Sequence, residues 1–205
     1  MSVVVLISGR GSNLNAMLEA ALPVSGVVSN QAGAKGLEIA ARHGVPTRVV
    51  EHRAFSSRES FDAALAAEID RLAPKLVALA GFMRVLTPGF VERFAGRLVN
   101  IHPSLLPAFP GLDTHERALA AGVKLHGCTV HYVTSDLDHG PIIVQAAVPV
   151  RAGDTPDTLA ERVLRQEHQV YPRAIRWYLE DRLVIESGVV RVLGNDAQLV
   201  FTDRA

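Results

Sequence analysis

Over residues 1–100, short apolar runs alternate with helix-period segments, and this alternation constrains the fold more than any other feature of the chain. Val3–Ile7 is a continuous β-branched and leucine run, followed at intervals by Gly26–Ser29, Thr47–Val50 and Leu76–Ala80. Runs without polar alternation suit strands buried on both faces. Between them lie apolar positions at helical spacing. One set is Leu14, Met17, Leu18 and Leu22; another spans 34–43 and is stopped by Gly44-Val45-Pro46. A third comprises Phe61, Leu65, Ile69 and Leu72, and is stopped by Pro74. Ser56-x-x-Glu59 reads as a capping box opening the third helix. Thr87-Pro88 starts a further helix through Phe90, Val91 and Phe94. Strands alternating with helices imply a parallel sheet with right-handed crossovers.

The second half reads differently. Leu98-Val99 runs into Asn100-Ile101-His102-Pro103-Ser104-Leu105-Leu106-Pro107, a buried strand feeding a proline-pinned loop. If the strand continues, Asn100 and His102 project from one side. They would supply an amide donor and a group titrating near neutrality, a pair suited to a carbonyl oxygen gaining charge while a proton moves. After a helix over 114–121 capped by Gly122, residues 125–133 alternate as a half-exposed strand, and 142–150 return antiparallel to it. His126 and His131 fall on opposite faces of that strand, so they form no pairwise metal site. Asp154-Thr155-Pro156 opens a long helix with Leu159, Val163, Val170 and Ala174 on its buried stripe, and Glu167 falls on that stripe too. Pro172 is expected to kink or break this helix near Tyr171. Residues 183–185 and 189–193 suggest a hairpin, and the polar end beyond is expected to fray.

Composition excludes several classes. Lys+Arg and Asp+Glu both number 21, so no bulk field recruits nucleic acid or an anionic membrane. The longest apolar runs are strand-sized, too short to cross a bilayer. Met1–Leu6 has no basic n-region, which argues against a signal peptide. The one cysteine, Cys128, rules out an intrachain disulfide framework, fits a cytoplasmic setting, and should pack as a small hydrophobe.

Ser8-Gly9-Arg10-Gly11-Ser12-Asn13 stands between the first strand and the first helix, the arrangement that holds an anion on backbone N–H groups and the helix dipole. It is not a dinucleotide fingerprint, because Leu14 occupies the third glycine position and no acid follows the second strand at Ser29-Asn30. A monophosphate site is the better reading. Gly81-Phe82-Met83-Arg84-Val85-Leu86 is an apolar loop with one arginine. Such a cation either lies over apolar side chains or sits beside a flat ligand carrying carboxylates.

The octet Asn100–Pro107 resembles the signature of the folate-dependent formyltransferases, which move a formyl group from 10-formyltetrahydrofolate to an amine. Ile7–Asn13, Leu79–Arg84, Asp138-x-Gly140 and Gln166-Glu167-His168 extend the resemblance over nearly the whole chain in family order. The resemblance is greatest to the branch that formylates glycinamide ribonucleotide in purine synthesis. It implies an α/β, Rossmann-like fold: a mostly parallel central sheet flanked by helices, with an antiparallel C-terminal portion. It further implies a single domain over 1–205, with a phosphate-binding half (1–100) and a catalytic and folate half (101–205). Gly11, Ser12, Asn13 and Glu167 would meet the ribonucleotide. Arg58, Met83, Arg84, Val85, Leu86 and Asn100 would meet the folate. Asn100, His102 and Asp138 would be the catalytic three, with Asp138 orienting His102 and favouring its charged form. Formyl folate is the implied co-substrate and no metal is required. Small molecules are the expected partners, with no nucleic acid or membrane, and a homodimer is left open.

Two neighbours of these positions stand apart. His139 occupies the variable place of Asp-x-Gly and is expected in solvent; Asp113 stands where some relatives carry histidine. The tRNA-formylating branch has a further C-terminal domain, which is not expected here soon after Tyr178. A regulatory nucleotide-binding module would use Gly9–Asn13 but leave Asn100, His102 and Asp138 without a task.

Overall fold

The structure, a computed structural model, describes residues 1–201. The chain divides into two compact units, Met1–Asn100 and a second beginning at Ile101.

The first unit carries β1 (Val3–Ile7), α1 (Ser12–Glu19), β2 (Val24–Ser29), α2 (Lys35–Arg42), β3 (Thr47–Val49), α3 (Arg58–Arg71), β4 (Leu76–Leu79), α4 (Pro88–Arg93) and the start of β5 (Leu98–His102). Its strands lie in the order β5-β4-β1-β2-β3, every pair parallel. All five residues of β1 and all four of β4 are buried, as their unbroken apolar runs require. The order reverses at β1: the chain leaves it toward β2 and returns on its other side as β4. In such sheets ligands bind outside the carboxyl ends of strands at the reversal. α3 is capped one residue later than expected. Ser57, not Ser56, accepts from the amide of Ser60, and the Ser60 hydroxyl accepts from the Ser57 amide, so a second serine does the work assigned to Glu59.

The second unit continues with α5 (Thr114–Ala120), β6 (Leu125–Tyr132), β7 (Ile142–Pro149), α6 (Pro156–Leu179), β8 (Leu183–Glu186), β9 (Val189–Val192) and β10 (Leu199–Phe201). β6 and β7 are antiparallel, so the fold as a whole is α/β with a mostly parallel sheet and an antiparallel C-terminal portion. β6 is buried on both faces beyond Leu125, not half-exposed; α6 packs on β6 and β7. Its polar residues mimic alternation although they are interior: Thr129 donates to Ser104 O at 2.7 Å, His131 Nδ1 lies 2.9 Å from Tyr132 O, and His126 Nε2 lies 3.2 Å from His115 Nδ1.

Pro172 does not end α6, which runs unbroken to Leu179. A mid-helix proline costs about 3 kcal/mol. Burial of Val170, Tyr171, Ala174, Ile175 and Trp177 around it offsets that cost, each large side chain contributing roughly 1.5–3 kcal/mol. β8 and β9 form the expected hairpin, a separate two-stranded sheet. The expected fraying is wrong for Leu199–Phe201. These residues form β10, parallel to β7, anchored where Gln198 Nε2 donates to Ile143 O at 2.8 Å and Val190 O at 3.0 Å. The last four residues of that end lie outside the described residues. Among those described, no helix is long and apolar enough to cross a membrane.

Candidate active site

In the first unit, β1 ends into Ser8-Gly9-Arg10-Gly11 and α1 begins at Ser12. Gly11 caps α1 at φ 74°, and a Cβ there would lie 2.5 Å from the Gly36 Cα, so the turn admits only glycine. The Gly36 amide donates to Gly9 O at 3.0 Å, holding the loop against the start of α2. Gly11 makes no side-chain capping bond to α1, and a helix N-terminus is a place where backbone amides can meet an anion. Gly11 and Asn13 are buried, while Ser12 is half-buried.

The loop after β4 is tied to this one. The Ser8 amide donates to Gly81 O at 3.2 Å, and the Ser8 hydroxyl accepts from the Met83 amide at 2.7 Å while donating to Asn30 Oδ1 at 2.6 Å. The far end of the loop is fixed where the Thr87 amide donates to the buried Asp62 carboxylate at 2.6 Å. Between these anchors Met83 and Val85 are 62% and 58% exposed, unusual for apolar side chains on so constrained a loop. Arg84 lies with its guanidinium 6.0 Å from the Phe61 ring centroid, and its buried Nε has no hydrogen-bond partner among the described residues. An orphaned donor beside exposed apolar side chains fits a flat ligand with polar edges. Arg58 is exposed at the start of α3, one turn before Phe61.

In the second unit, β5 delivers His102 into the proline-rich loop. His102 Nε2 lies 3.0 Å from Phe109 O; a carbonyl only accepts, so this nitrogen carries a proton. Nδ1 faces Asp138 Oδ2 at 3.5 Å. Asp138 stands in the left-handed region at φ 56°, tolerated by Asp better than by most residues, and its Oδ2 accepts from the Gly111 amide at 2.8 Å. Its other oxygen is 3.9 Å from His131 Nε2. His131 Nδ1 lies 2.9 Å from Tyr132 O, and burial lowers its pKa, a shift opposed by that carbonyl and by Asp138. A carboxylate flanked by two buried imidazoles can orient one of them and hold or pass a proton. Asn100, two residues before His102 on the same strand, is half-buried.

The remaining second-unit positions are less concentrated. Glu167 is buried on α6, where its charge adds to the burial that raises the pKa of Cys128 and Tyr171. Cys128 is fully buried. His139 is exposed and bonds Leu137 O within its own turn at 2.7 Å. Asp113 is exposed at the start of α5 at φ 55°, with no capping bond from its side chain.

A sequence profile described as formyl transferase matches residues 1–175. The chain belongs to the formyl transferase family. Over 189 residues it is 52% identical to the phosphoribosylglycinamide formyltransferase of Escherichia coli K12, covering 89% of each chain. It is 44% identical over 205 residues to the human trifunctional purine biosynthetic protein adenosine-3, covering 97% of this chain but only 20% of that longer one. The crystal structure of the phosphoribosylglycinamide formyltransferase of Anaplasma phagocytophilum superposes with a TM-score of 0.93 at 43% identity over 99% of both chains. Glycinamide ribonucleotide transformylase 1 of Symbiobacterium toebii gives 0.91 at 50% identity, covering 95% of this chain and 94% of that one.

Within this formyl transferase, two residues of the constellations above carry no role in the sequence reading. Ser8 stands there only as part of a glycine loop, and its hydroxyl is what joins the loops after β1 and β4. His131 is weighed only as half of a metal pair with His126, and its actual neighbour is Asp138. The alternation along β6 separates His126 from His131, but nothing in it says which turn each would meet.

Proposed function

We propose that the chain transfers the formyl group of 10-formyltetrahydrofolate to the amine of 5′-phosphoribosylglycinamide, a step of purine synthesis suited to the cytoplasm. The observation that carries this reading is the buried His102–Asp138 pair at 3.5 Å, with Asn100 two residues upstream on the same strand. As the amine attacks, the formyl oxygen gains negative charge. Asn100 donates to that oxygen, and losing such a donor typically costs about 10²–10³ in rate. His102 moves the proton between the attacking amine and the departing folate nitrogen, a contribution of roughly 10²–10⁴. Asp138 orients His102 and balances its charge.

Binding follows the same division. Gly11, Ser12 and Asn13 hold the ribonucleotide phosphate through backbone amides at the start of α1, and Glu167 meets the same substrate near its amine. Arg84 and Arg58 offer cations to the folate carboxylates, while Met83, Val85 and Leu86 cover its ring. The folate's nitrogen supplies an activated formyl group; the chain supplies position, a hydrogen-bond donor and a proton carrier. In the testing experiment, purified protein is given 10-formyl folate with and without glycinamide ribonucleotide. Formyl loss that requires the ribonucleotide supports the reading. Equal loss without it points to a hydrolase, and no loss in either arm removes the assignment.

A further inference from the structure

Thr129 on β6 stands directly opposite Gln145 on β7, and both reach past their own strands to the loop that follows His102. Gln145 Nε2 donates to Leu106 O at 2.9 Å and to Thr129 Oγ1 at 3.0 Å. Turned over, this amide would set its oxygen against the Leu106 oxygen, two acceptors with no proton between them, so its orientation is fixed. Thr129 Oγ1 also accepts from the Leu106 amide at 3.0 Å, which sends its own proton to Ser104 O at 2.7 Å. A hydroxyl has one proton and two lone pairs, and here all three are committed. Thr129 is fully buried, so no water competes for them.

The loop carries this fixation to the histidine. The Ser104 amide donates to His102 O at 2.9 Å, the Ser104 hydroxyl to Ala108 O at 2.6 Å, and the Ala108 amide to Leu105 O at 3.0 Å. The segment ends at Phe109, whose carbonyl holds His102 Nε2. A ring tied there presents Nδ1 elsewhere, and the group it meets is Asp138. An apolar cross-strand pair would fill the same space and keep the same register. This pair instead commits four hydrogen bonds to loop backbone and to each other.

We infer that Gln145 and Thr129 are positioning residues for His102. By fixing Ser104 and Leu106 they hold the Phe109 carbonyl where it sets the imidazole's protonated nitrogen and its angle toward Asp138. The inference rests on His102 being the proton carrier of the proposed reaction. It is tested with Gln145→Met, which keeps length but cannot donate, and with Thr129→Val and Thr129→Ser, which remove and retain the hydroxyl. Gln145→Met and Thr129→Val should lower kcat by between about tenfold and a hundredfold. Both KM values should stay within about twofold. Nitrogen-15 spectra of the His102 ring should show Nε2–H losing its carbonyl bond in those two variants, and Thr129→Ser should restore both kcat and the spectrum.

A lower melting temperature with kcat and the His102 signals unchanged would reduce the pair to core packing and overturn the inference. So would a wild-type spectrum with no proton on Nε2, a reading that needs no variant to fold. If the ring signals shift as expected but the wild type transfers no formyl group, the positioning stands and the reaction assignment falls.

Discussion

The amide of Met83 donates to the hydroxyl of Ser8 at 2.7 Å, joining the loop after β4 to the loop after β1. Sequence separates these residues by 75 positions, and one serine side chain joins the two loops along one edge of the sheet. Ser8 is buried, so Ser8→Ala would leave the Met83 amide and Asn30 Oδ1 without this partner. Unsatisfied buried groups cost about 1–3 kcal/mol. Chemical denaturation should show a loss of that size, and steady-state kinetics should show KM rising for both substrates.

Gly11→Ala should discriminate between substrates. The residue is at φ 74°, and the new Cβ would meet the Gly36 Cα at 2.5 Å, so the turn must shift. Left-handed strain alone is worth about 1–3 kcal/mol, enough for roughly a tenfold weakening of what the loop holds. KM for the ribonucleotide should rise by that much or more, with the folate KM changing far less. Equal changes would remove the phosphate assignment.

Asp138→Asn keeps shape, tolerates the left-handed backbone and still accepts from the Gly111 amide. It removes the charge beside His102. Turnover should fall by about 10² or more with ribonucleotide affinity retained, whereas His139→Ala, an exposed change one residue away, should leave kcat near wild type. If the two variants exchanged effects, the catalytic assignment would be wrong.

Acid stability should report the buried histidines. His126, packed against His115 with ring nitrogens 3.2 Å apart, has its pKa lowered from 6.5 to about 4, chiefly by burial and then by His115 and His102. Its neutral form is the folded one, so below 6.5 the unfolded chain binds the extra proton. Stability should be level above that pH, fall as pH drops toward 4, and lose its slope below. His131 and His115, shifted the same way, add to it. Urea unfolding across this range should show a shallower slope for His126→Gln than for wild type.

Much of this was legible because the first unit's elements are set by local rules. Unbroken apolar runs gave β1 and β4, and Gly44 and Pro74 stopped their helices where expected. Thr87-Pro88 and Thr155-Pro156 began theirs. The misreadings lie where tertiary context overrode a local signal. Pro172 stays inside a helix because its surroundings are buried, and the polar residues of β6 are interior because each finds a partner. Ser57 won the cap over Ser56 by one residue, within the reach of either serine. The site was legible as residues but not as relations. Asn100, His102 and Asp138 stand in the sequence, yet the Phe109 carbonyl on His102 and the Ser8 bond to Met83 depend on loop paths that no periodicity encodes.

The left-handed backbone of Asp138 has a practical consequence for anyone sorting libraries of this protein. Asparagine accepts that conformation and can still take the Gly111 amide's hydrogen bond, so a screen for thermostability or soluble expression would retain it at position 138. Only a screen on turnover would restore aspartate. Gly11 behaves oppositely, since its close approach to Gly36 penalises substitution under either screen. Deep mutational maps collected for abundance and for activity should therefore agree at 11 and diverge for asparagine at 138, where its side chain differs from aspartate's chiefly in charge.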